Sequence, residues 1–419
     1  MSSPLVSSIR NPRFLKLWAG QCISALGDRF TELALLALAI HGQTSAEQAW
    51  LDFWMFLPWL LFGPFAGVLV DRFPRKPLLI GADLARAALV LGILGLGLKE
   101  GGSLAPAYPF LFAMGLMTSI FSPAKSASLP DLVAPAQVLP SGALLAATGV
   151  IATALGGKLA GRILDSAGYR PCLLFDAASY VISALAVAWI AFPRRARGPR
   201  LKAGEVLGNL RAGFAEIRRN PELVKICGFM FVFWFVANSV KVIAPNFGKE
   251  ALGLSGSMES LAGDPMLAAG LGLLAGAGAT AAVGHRLARR AAYCLAASGM
   301  GVSLLMLSTA RSLPGLFAWM GATGFWGGSL VSRIDADILK VIAPEVRGRV
   351  FGATSVLFAA AVLSPLLPVG WLSEHLAAAQ ILRMLGLMLV GLGAVVLVRL
   401  VGDLKAGQRL LLPPVKPRG

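Results

Sequence analysis

The chain has 419 residues, of which 56% are hydrophobic and 14% are charged, and its mean hydropathy is +0.72. A soluble protein has roughly a quarter charged residues, so this apolar surplus exceeds one water-soluble core and indicates contact with lipid. The net charge of +17 would suggest nucleic-acid binding in a soluble protein. Here Lys and Arg lie mainly in alternate loops between apolar runs, which argues against a nucleic-acid partner.

Twelve apolar runs are long enough to cross a hydrocarbon core, which needs about 20 residues per helix. Backbone polar groups in lipid must be satisfied internally, so the chain is predicted to be an all-α membrane protein with twelve transmembrane helices. The first run is too long for the apolar part of a signal peptide and is predicted to be the first span. The runs are 14–40, 49–70, 77–98, 108–127, 138–164, 171–192, 223–246, 264–283, 291–309, 313–340, 350–372 and 377–401.

The loops between these runs predict the orientation of the chain in the membrane. Both termini and the loops after the second, eighth and tenth runs carry clusters of Lys and Arg, whereas 41–48 has none and 247–263 has only Lys249. Basic residues favour cytoplasmic loops, so both termini are expected to be cytoplasmic in a multi-pass protein of the inner membrane.

The long polar stretch 193–222 separates two portions of similar size. Within it, apolar residues recur at helical spacing with basic residues among them: Val206, Leu207, Leu210, Arg211, Phe214, Ile217, Arg218 and Arg219. This pattern predicts a basic amphipathic helix on the inner leaflet, and the alternative is a solvated linker helix. The predicted units are an N-terminal bundle (1–192), the linker (193–222) and a C-terminal bundle with a basic tail (223–419).

The two portions also repeat one another. The basic segments 71–76 and 285–290 are related by an offset of 214 residues, and the same offset relates Pro130-Asp131 to Pro344-Glu345. Two matches at one offset predict a parallel duplication, with two pseudo-symmetric six-helix bundles. Such repeats place the substrate site near the membrane midplane, between the two halves.

The segment after the second run, Gly67-Val68-Leu69-Val70-Asp71-Arg72-Phe73-Pro74-Arg75-Lys76, resembles the G-x-L-x-D-R-x-x-R-K signature of the major facilitator superfamily. The resemblance implies a secondary transporter that works by alternating access. In that family this loop locks the cytoplasmic side of the outward-open state. The resemblance and the repeat together imply a gating motif formed by Gly67, Asp71, Arg72, Arg75, Lys76, Arg286, Arg289 and Arg290.

Two branches of that superfamily share further segments with this chain. Phe233-Trp234 with Lys241, and the small residues 275–278, resemble bacterial lysophospholipid transporters. The segment 344–350 (Pro-Glu-Val-Arg-Gly-Arg-Val) resembles macrolide and siderophore exporters. The fourth run lacks the arginine of proton-coupled drug antiporters, and the fifth lacks their Gly-Pro pair, which argues against a standard proton antiporter.

Four ionisable residues within the runs are candidates for substrate binding or coupling: Asp28, Glu32, Lys158 and Lys241. Arg29 is predicted to pair with Glu32 three residues later, which leaves Asp28 in need of an outside cation, water or a proton. Lys241 lies within one position of the repeat equivalent of Asp28, so the two are predicted to face each other across the cavity. A structural salt bridge between the halves is the alternative.

Other membrane charges have simpler explanations. Asp83 with Arg86 and Arg333 with Asp337 are spaced to pair within one helix. Asp176 is expected near the outer end of the sixth run, where its side chain could reach the interface. Glycines in the fifth and eighth runs could let helices approach closely: Gly149, Gly156, Gly157, Gly161, Gly270, Gly272, Gly276 and Gly278.

No enzyme, metal or cofactor motif is present, because the four Cys and three His are scattered and the chain has no P-loop. The favoured hypothesis is a monomeric transporter of an amphipathic, anionic small molecule or lysophospholipid, in contact with membrane lipids. One alternative is a multidrug, macrolide or siderophore efflux pump. Another is a non-transporting receptor or scaffold, which has no need of a gating motif.

Overall fold

The computed structural model of the protein describes residues 9–41, 45–99, 102–193, 203–253, 262–284, 287–342 and 346–405. Within these ranges the chain is helical, with one short 3-10 helix at Ala105–Ala107. The α-helices are α1 (Pro12–His41), α2 (Ser45–Arg72), α3 (Arg75–Gly95), α4 (Tyr108–Leu132), α5 (Pro135–Ala167), α6 (Tyr169–Ala188), α7 (Ala203–Arg219), α8 (Pro221–Leu252), α9 (Asp264–Val283), α10 (Arg289–Leu307), α11 (Leu313–Val341), α12 (Arg347–Leu363), α13 (Leu366–His375) and α14 (Ala378–Lys405).

Local signals in the sequence set several of these boundaries. Helix α8 begins at Pro221, a residue whose missing N–H is harmless in the first turn. The side chain of Asn220 caps this helix by accepting hydrogen bonds from the backbone N–H groups of Glu222 and Leu223 at 3.0 and 3.4 Å. Gly168, at φ 76°, is the single residue between α5 and α6, and it lets the chain reverse direction there.

The described helices include ten stretches that are long and apolar enough to cross a membrane. They confirm the predicted all-helical membrane fold. The sequence predicts twelve spans, and ten described stretches have the length and apolar composition of a span. Helices α1 and α11 are not among the ten, and both carry ionisable residues in their interiors, which lowers mean hydropathy. The eleventh predicted run is two helices, α12 and α13, interrupted at Ser364-Pro365.

The helices before α7 pack mainly on one another, and so do the helices after it. In the first portion α1 packs on α6, α2 on α4, and α3 on α6. In the second portion α9 packs on α11 and α10 on α14, the equivalents of two of those pairs under the 214-residue repeat. Contacts between the two portions run through α5 with α9 and through α2 with α12 and α13.

Helix α7 lies in the segment 193–222, where the sequence predicts an amphipathic helix. It packs chiefly on α12, with smaller contacts to α8 and α2. Val206 and Ile217 are buried at 7% and 6% exposure, whereas Leu207 and Phe214 remain exposed. One face of α7 therefore belongs to the core of the protein, and a second apolar group faces outward.

Glycines bring α9 and α11 into direct backbone contact. A Cβ atom added at Gly272 or Gly276 of α9 would collide with the carbonyl oxygen of Gly321 or Phe325 on α11. Gly328 of α11 makes the reciprocal approach to the carbonyl of Leu273. Small residues are the usual means by which membrane helices approach this closely, because lipid provides no hydrophobic drive for helix association.

This contact predicts a sharp difference between two glycines on α9. Gly276→Ala should lower the free energy of unfolding by about 1–3 kcal/mol, because the added methyl group overpacks the interface with α11. Gly278→Ala is the matched control, since a Cβ atom there meets no atom within 4 Å. Thermal unfolding of the purified protein in detergent measures both. Equal melting temperatures for the two variants would contradict the packing argument.

Candidate functional site

A cavity of about 700 Å³ lies between the two portions of the chain. Helices α1, α2, α4, α5 and α6 line one side, and α8, α9, α10 and α11 line the other. Most of its lining is apolar. Its charged side chains number four acids and two bases: Asp28, Glu32, Asp52, Asp176, Arg29 and Lys241.

Lys241 on α8 holds two carboxylates from the opposite portion of the chain. Its ammonium nitrogen lies 2.6 Å from Oε1 of Glu32 on α1 and 3.0 Å from Oδ1 of Asp52 on α2. The side chain of Gln48 also donates a hydrogen bond to the backbone carbonyl of Lys241 at 3.3 Å. We call Glu32, Asp52 and Lys241 the Lys241 cluster. It links α1 and α2 to α8 through side chains that are between 12% and 29% exposed.

Asp28, which is predicted to face Lys241 across the cavity, lines the same cavity but does not contact the lysine. Asp28 instead accepts a hydrogen bond from the Tyr180 hydroxyl at 2.5 Å, and it has no ion pair within the described part of the chain. Arg29 pairs with Glu32, as their spacing predicts, but Glu32 also reaches Lys241. Glu32 lies about one helical turn, about 5.4 Å, after Asp28 on α1, and this rise places Glu32 level with the lysine.

Asp52 is the cluster member that sequence reasoning missed. It lies in the predicted second run 49–70 and is the first ionisable residue there. An ionisable residue at membrane depth is a functional candidate by default, so its position alone was a usable signal. One of its carboxylate oxygens, Oδ2, is buried without a hydrogen-bond partner.

Lys158 lies outside the cavity and joins the two portions at a second point. Its ammonium nitrogen is 2.7 Å from Oδ1 of Asp264, so α5 is ion-paired to the first turn of α9. The backbones are close here, because a Cβ atom at Gly263 would lie 2.8 Å from the carbonyl oxygen of Gly157. Lys158 is therefore brought to the interface between α5 and α9, and Asp264 is a partner that the sequence did not reveal.

A buried polar network lies beside the cavity, within the first portion. Asp176 is fully buried and accepts hydrogen bonds from Thr31 at 2.5 Å and from Ser179 at 3.2 Å, so the prediction that it reaches the interface was wrong. Asp83 pairs with Arg86, as predicted from their spacing. The Arg86 guanidinium also lies over the ring of Tyr180, 4.4 Å from its centroid, which links this pair to the partner of Asp28.

The basic residues of the first gating segment contact helix ends within their own portion of the chain. Arg75 pairs with Asp131 and donates to the carbonyl of Ala127, both near the end of α4. Lys76 donates to the carbonyls of Ala188 and Ile190 at 2.6 and 2.9 Å, where α6 ends. A cation near the C-terminus of a helix is favoured because backbone carbonyls there are unpaired.

The remaining gating residues fall into two groups. In the second portion, Arg289 pairs with Glu222 in the first turn of α8, while Arg290 is exposed. Arg72 is exposed and lies over its neighbour Phe73. Gly67 and Asp71 lie in the last two turns of α2, and Arg286 lies outside the described residues. The lock that this motif is predicted to form between the two portions stays a prediction.

The Lys241 cluster predicts how stability depends on charge. Lys241→Met leaves Glu32 and Asp52 without their shared cation and should lower the free energy of unfolding by about 1–3 kcal/mol. Adding Asp52→Asn to Lys241→Met should recover part of that loss, because Arg29 can still balance Glu32. Thermal unfolding of Lys241→Met, Asp52→Asn and the double variant gives the coupling energy between the two residues by a double-mutant cycle.

A matched control exists for this cycle. Lys225→Met breaks the more exposed pair with Glu222, and it should change stability by less than about 1 kcal/mol. Strictly additive effects of Lys241→Met and Asp52→Asn would contradict the direct interaction between the two residues.

Comparison with known proteins places this geometry in a family. The chain matches the model of the Major Facilitator Superfamily over residues 17–365. It is 24% identical to Macrolide efflux protein A of Streptococcus pyogenes, across 88% of this chain and 90% of that protein. It is 25% identical to the uncharacterised MFS-type transporter YfiS of Bacillus subtilis, across 95% of each.

A solved structure shares the fold. A bacterial homologue of the human lysosomal transporter Spinster, in an inward-facing and unoccupied conformation, superposes with a TM-score of 0.68 at 14% identity. The superposition covers 94% of this chain and 96% of that one. These matches confirm the resemblance seen at 67–76: the chain belongs to the Major Facilitator Superfamily and is a multi-pass membrane transporter.

Proposed function

We propose that this transporter exports cationic or neutral amphipathic compounds by alternating access. The observation that carries the proposal is the charge of the cavity. Four carboxylates face two cations there, and Asp28 forms no ion pair within the described chain, while its hydrogen-bond partner is the Tyr180 hydroxyl. An unpaired carboxylate in a mostly apolar cavity suits a ligand with a positive group on an apolar body.

The hypothesis of an anionic substrate depends on Lys158 and Lys241. Lys158 does not line the cavity and pairs with Asp264, and the surroundings of Lys241 weaken the hypothesis further. The ammonium group already contacts both Glu32 and Asp52. An anionic headgroup would have to replace these carboxylates and leave them unpaired in a low-dielectric cavity, which is costly. The similarity to Macrolide efflux protein A independently favours the efflux alternative over a lysophospholipid transporter.

The transport cycle that we propose uses twelve spans in two six-helix bundles, 1–192 and 223–419. Helices α1 and α11 complete the ten apolar candidates, since both are long enough to cross and several of their ionisable residues are paired. Arg333 of α11, for example, pairs with Asp337 at 3.1 Å and donates to the carbonyl of Gly284 at 2.7 Å. The termini are proposed to be cytoplasmic and the membrane to be the inner one.

In this orientation the Lys241 cluster and the pair Lys158–Asp264 lie toward the outer side of the membrane. Both join the two bundles, so both hold the outer side closed. An outward-open state requires these pairs to break, and the basic loops after α2 and α9 would then hold the cytoplasmic side. Asp28 stays in the cavity in either state and is available to the substrate.

Ligand binding to the purified protein tests the proposed substrate class. Tetraphenylphosphonium, a lipophilic cation, should bind, and Asp28→Asn should weaken its binding by about tenfold, because a charge-assisted contact is lost. Asp335→Asn is the control, since this exposed carboxylate of α11 does not line the cavity. Cells that express the protein should also accumulate less tetraphenylphosphonium than cells that express Asp28→Asn.

A second ligand separates the two substrate hypotheses. Lysophosphatidylglycerol is an anionic amphiphile, and it should bind more weakly than tetraphenylphosphonium. If it binds more tightly, and Lys241→Gln abolishes that binding, the cationic substrate class is wrong and the anionic one holds.

A further inference from the structure

Helix α7 has three faces with different surroundings. Val206, Gly213 and Ile217 form the face that packs on the protein. Gly213 approaches the carbonyl oxygen of Arg349 at the start of α12 so closely that no Cβ atom would fit. This contact fixes the rotation of α7 about its own axis, and with it the direction in which every other residue of the helix points.

The second face is an exposed stripe that alternates apolar and basic residues. Leu207, Arg211, Phe214 and Arg218 follow one another at spacings of four, three and four residues, so they lie along one side of the helix. Leu207 and Phe214 are 47% and 36% exposed. Neither arginine of the stripe has an ion pair within the described part of the chain.

The third face, opposite the stripe, carries the acids. Glu205 and Glu216 lie about half a turn away from the stripe, as expected for 3.6 residues per turn. Asn209 lies on the same side and is exposed. Acidic side chains are therefore absent from the stripe, although they occur elsewhere on this helix.

We propose that the stripe formed by Leu207, Arg211, Phe214 and Arg218 binds anionic phospholipids of the cytoplasmic leaflet. The inference rests on the orientation given under the proposed function. A helix at the membrane interface buries its apolar side chains at the boundary with the acyl chains, while arginines extend to the phosphates. Charge complementarity selects anionic headgroups, because both charged residues of the stripe are arginines and the acids face the opposite way.

The position of α7 in the chain supports lipid contact. It follows α6, whose C-terminal neighbour Trp189 is 72% exposed, and it precedes α8, which begins two residues after it. An exposed Trp at the end of a span is typical of the membrane interface. Helix α7 is thus flanked by two spans, α6 and α8, that meet the same side of the membrane. It also packs on α12, so it lies beside a third helix there.

Spin labels on the full-length protein in nanodiscs test the orientation of the stripe. In a chain whose native cysteines are replaced, nitroxides are attached at Leu207→Cys and Asn209→Cys. The label at position 207 should collide with membrane-dissolved oxygen, and the label at 209 with a water-soluble nickel reagent. Similar exposure to water at both positions would overturn the proposal.

Lipid selectivity needs a second measurement. The protein is released from membranes of phosphatidylglycerol and phosphatidylcholine, and native mass spectrometry counts the retained lipids. Retention should favour phosphatidylglycerol, and the preference should fall by roughly fivefold for each of Arg211→Gln and Arg218→Gln. Arg219→Gln, on the same helix but off the stripe, is the matched control and should retain the preference.

Two outcomes would contradict the anionic-lipid assignment. A lipid-exposed label at 207 with no preference for phosphatidylglycerol would show apolar contact alone. An equal loss of preference in Arg219→Gln would show a diffuse charge effect and not a binding stripe. Neither result bears on tetraphenylphosphonium binding, so the proposed transport function and the lipid site can fail independently.

Discussion

The contact of Lys241 with Glu32 and Asp52 is the interaction on which the arrangement around the cavity depends. An isolated charge at membrane depth costs about 2.5–3.5 kcal/mol on insertion scales, so each of these groups needs partners. Helices α1 and α2 supply the acids and α8 supplies the base. Because the members come from the portions of the chain before and after α7, neutralising them also joins these two portions across the cavity.

Sequence patterns predicted the helices well, because apolar length and proline or glycine boundaries are local properties. They also identified Glu32, Lys158 and Lys241 as unusual, since a charge in an apolar run is visible without a structure. They did not identify Asp52 or Asp264 as partners. These contacts join residues 189 and 106 positions apart, and their existence depends on the rotation and vertical offset of whole helices.

The 214-residue repeat shows both the strength and the limit of symmetry arguments. It placed Lys241 opposite Asp28 of α1, and the lysine contacts Glu32, which lies one turn after Asp28 on that helix. The two portions differ in their side chains, while α9 with α11 and α10 with α14 pack as their equivalents under the repeat do. In the loops, Arg75 pairs with the end of α4, whereas its repeat mate Arg289 pairs with the start of α8.

The composition of the Lys241 cluster connects closure to the proposed substrate. Arg29 and Lys241 together balance Glu32 and Asp52, so removal of Lys241 leaves Asp52 without a cation. A cationic ligand in the cavity competes with Lys241 for these same carboxylates. Binding would then weaken the contact between the bundles and shift the population toward the state that is open on the outer side. A neutral ligand does not compete with Lys241 for the carboxylates. Cationic ligands should therefore favour the outward-open state more strongly than neutral analogues of the same shape.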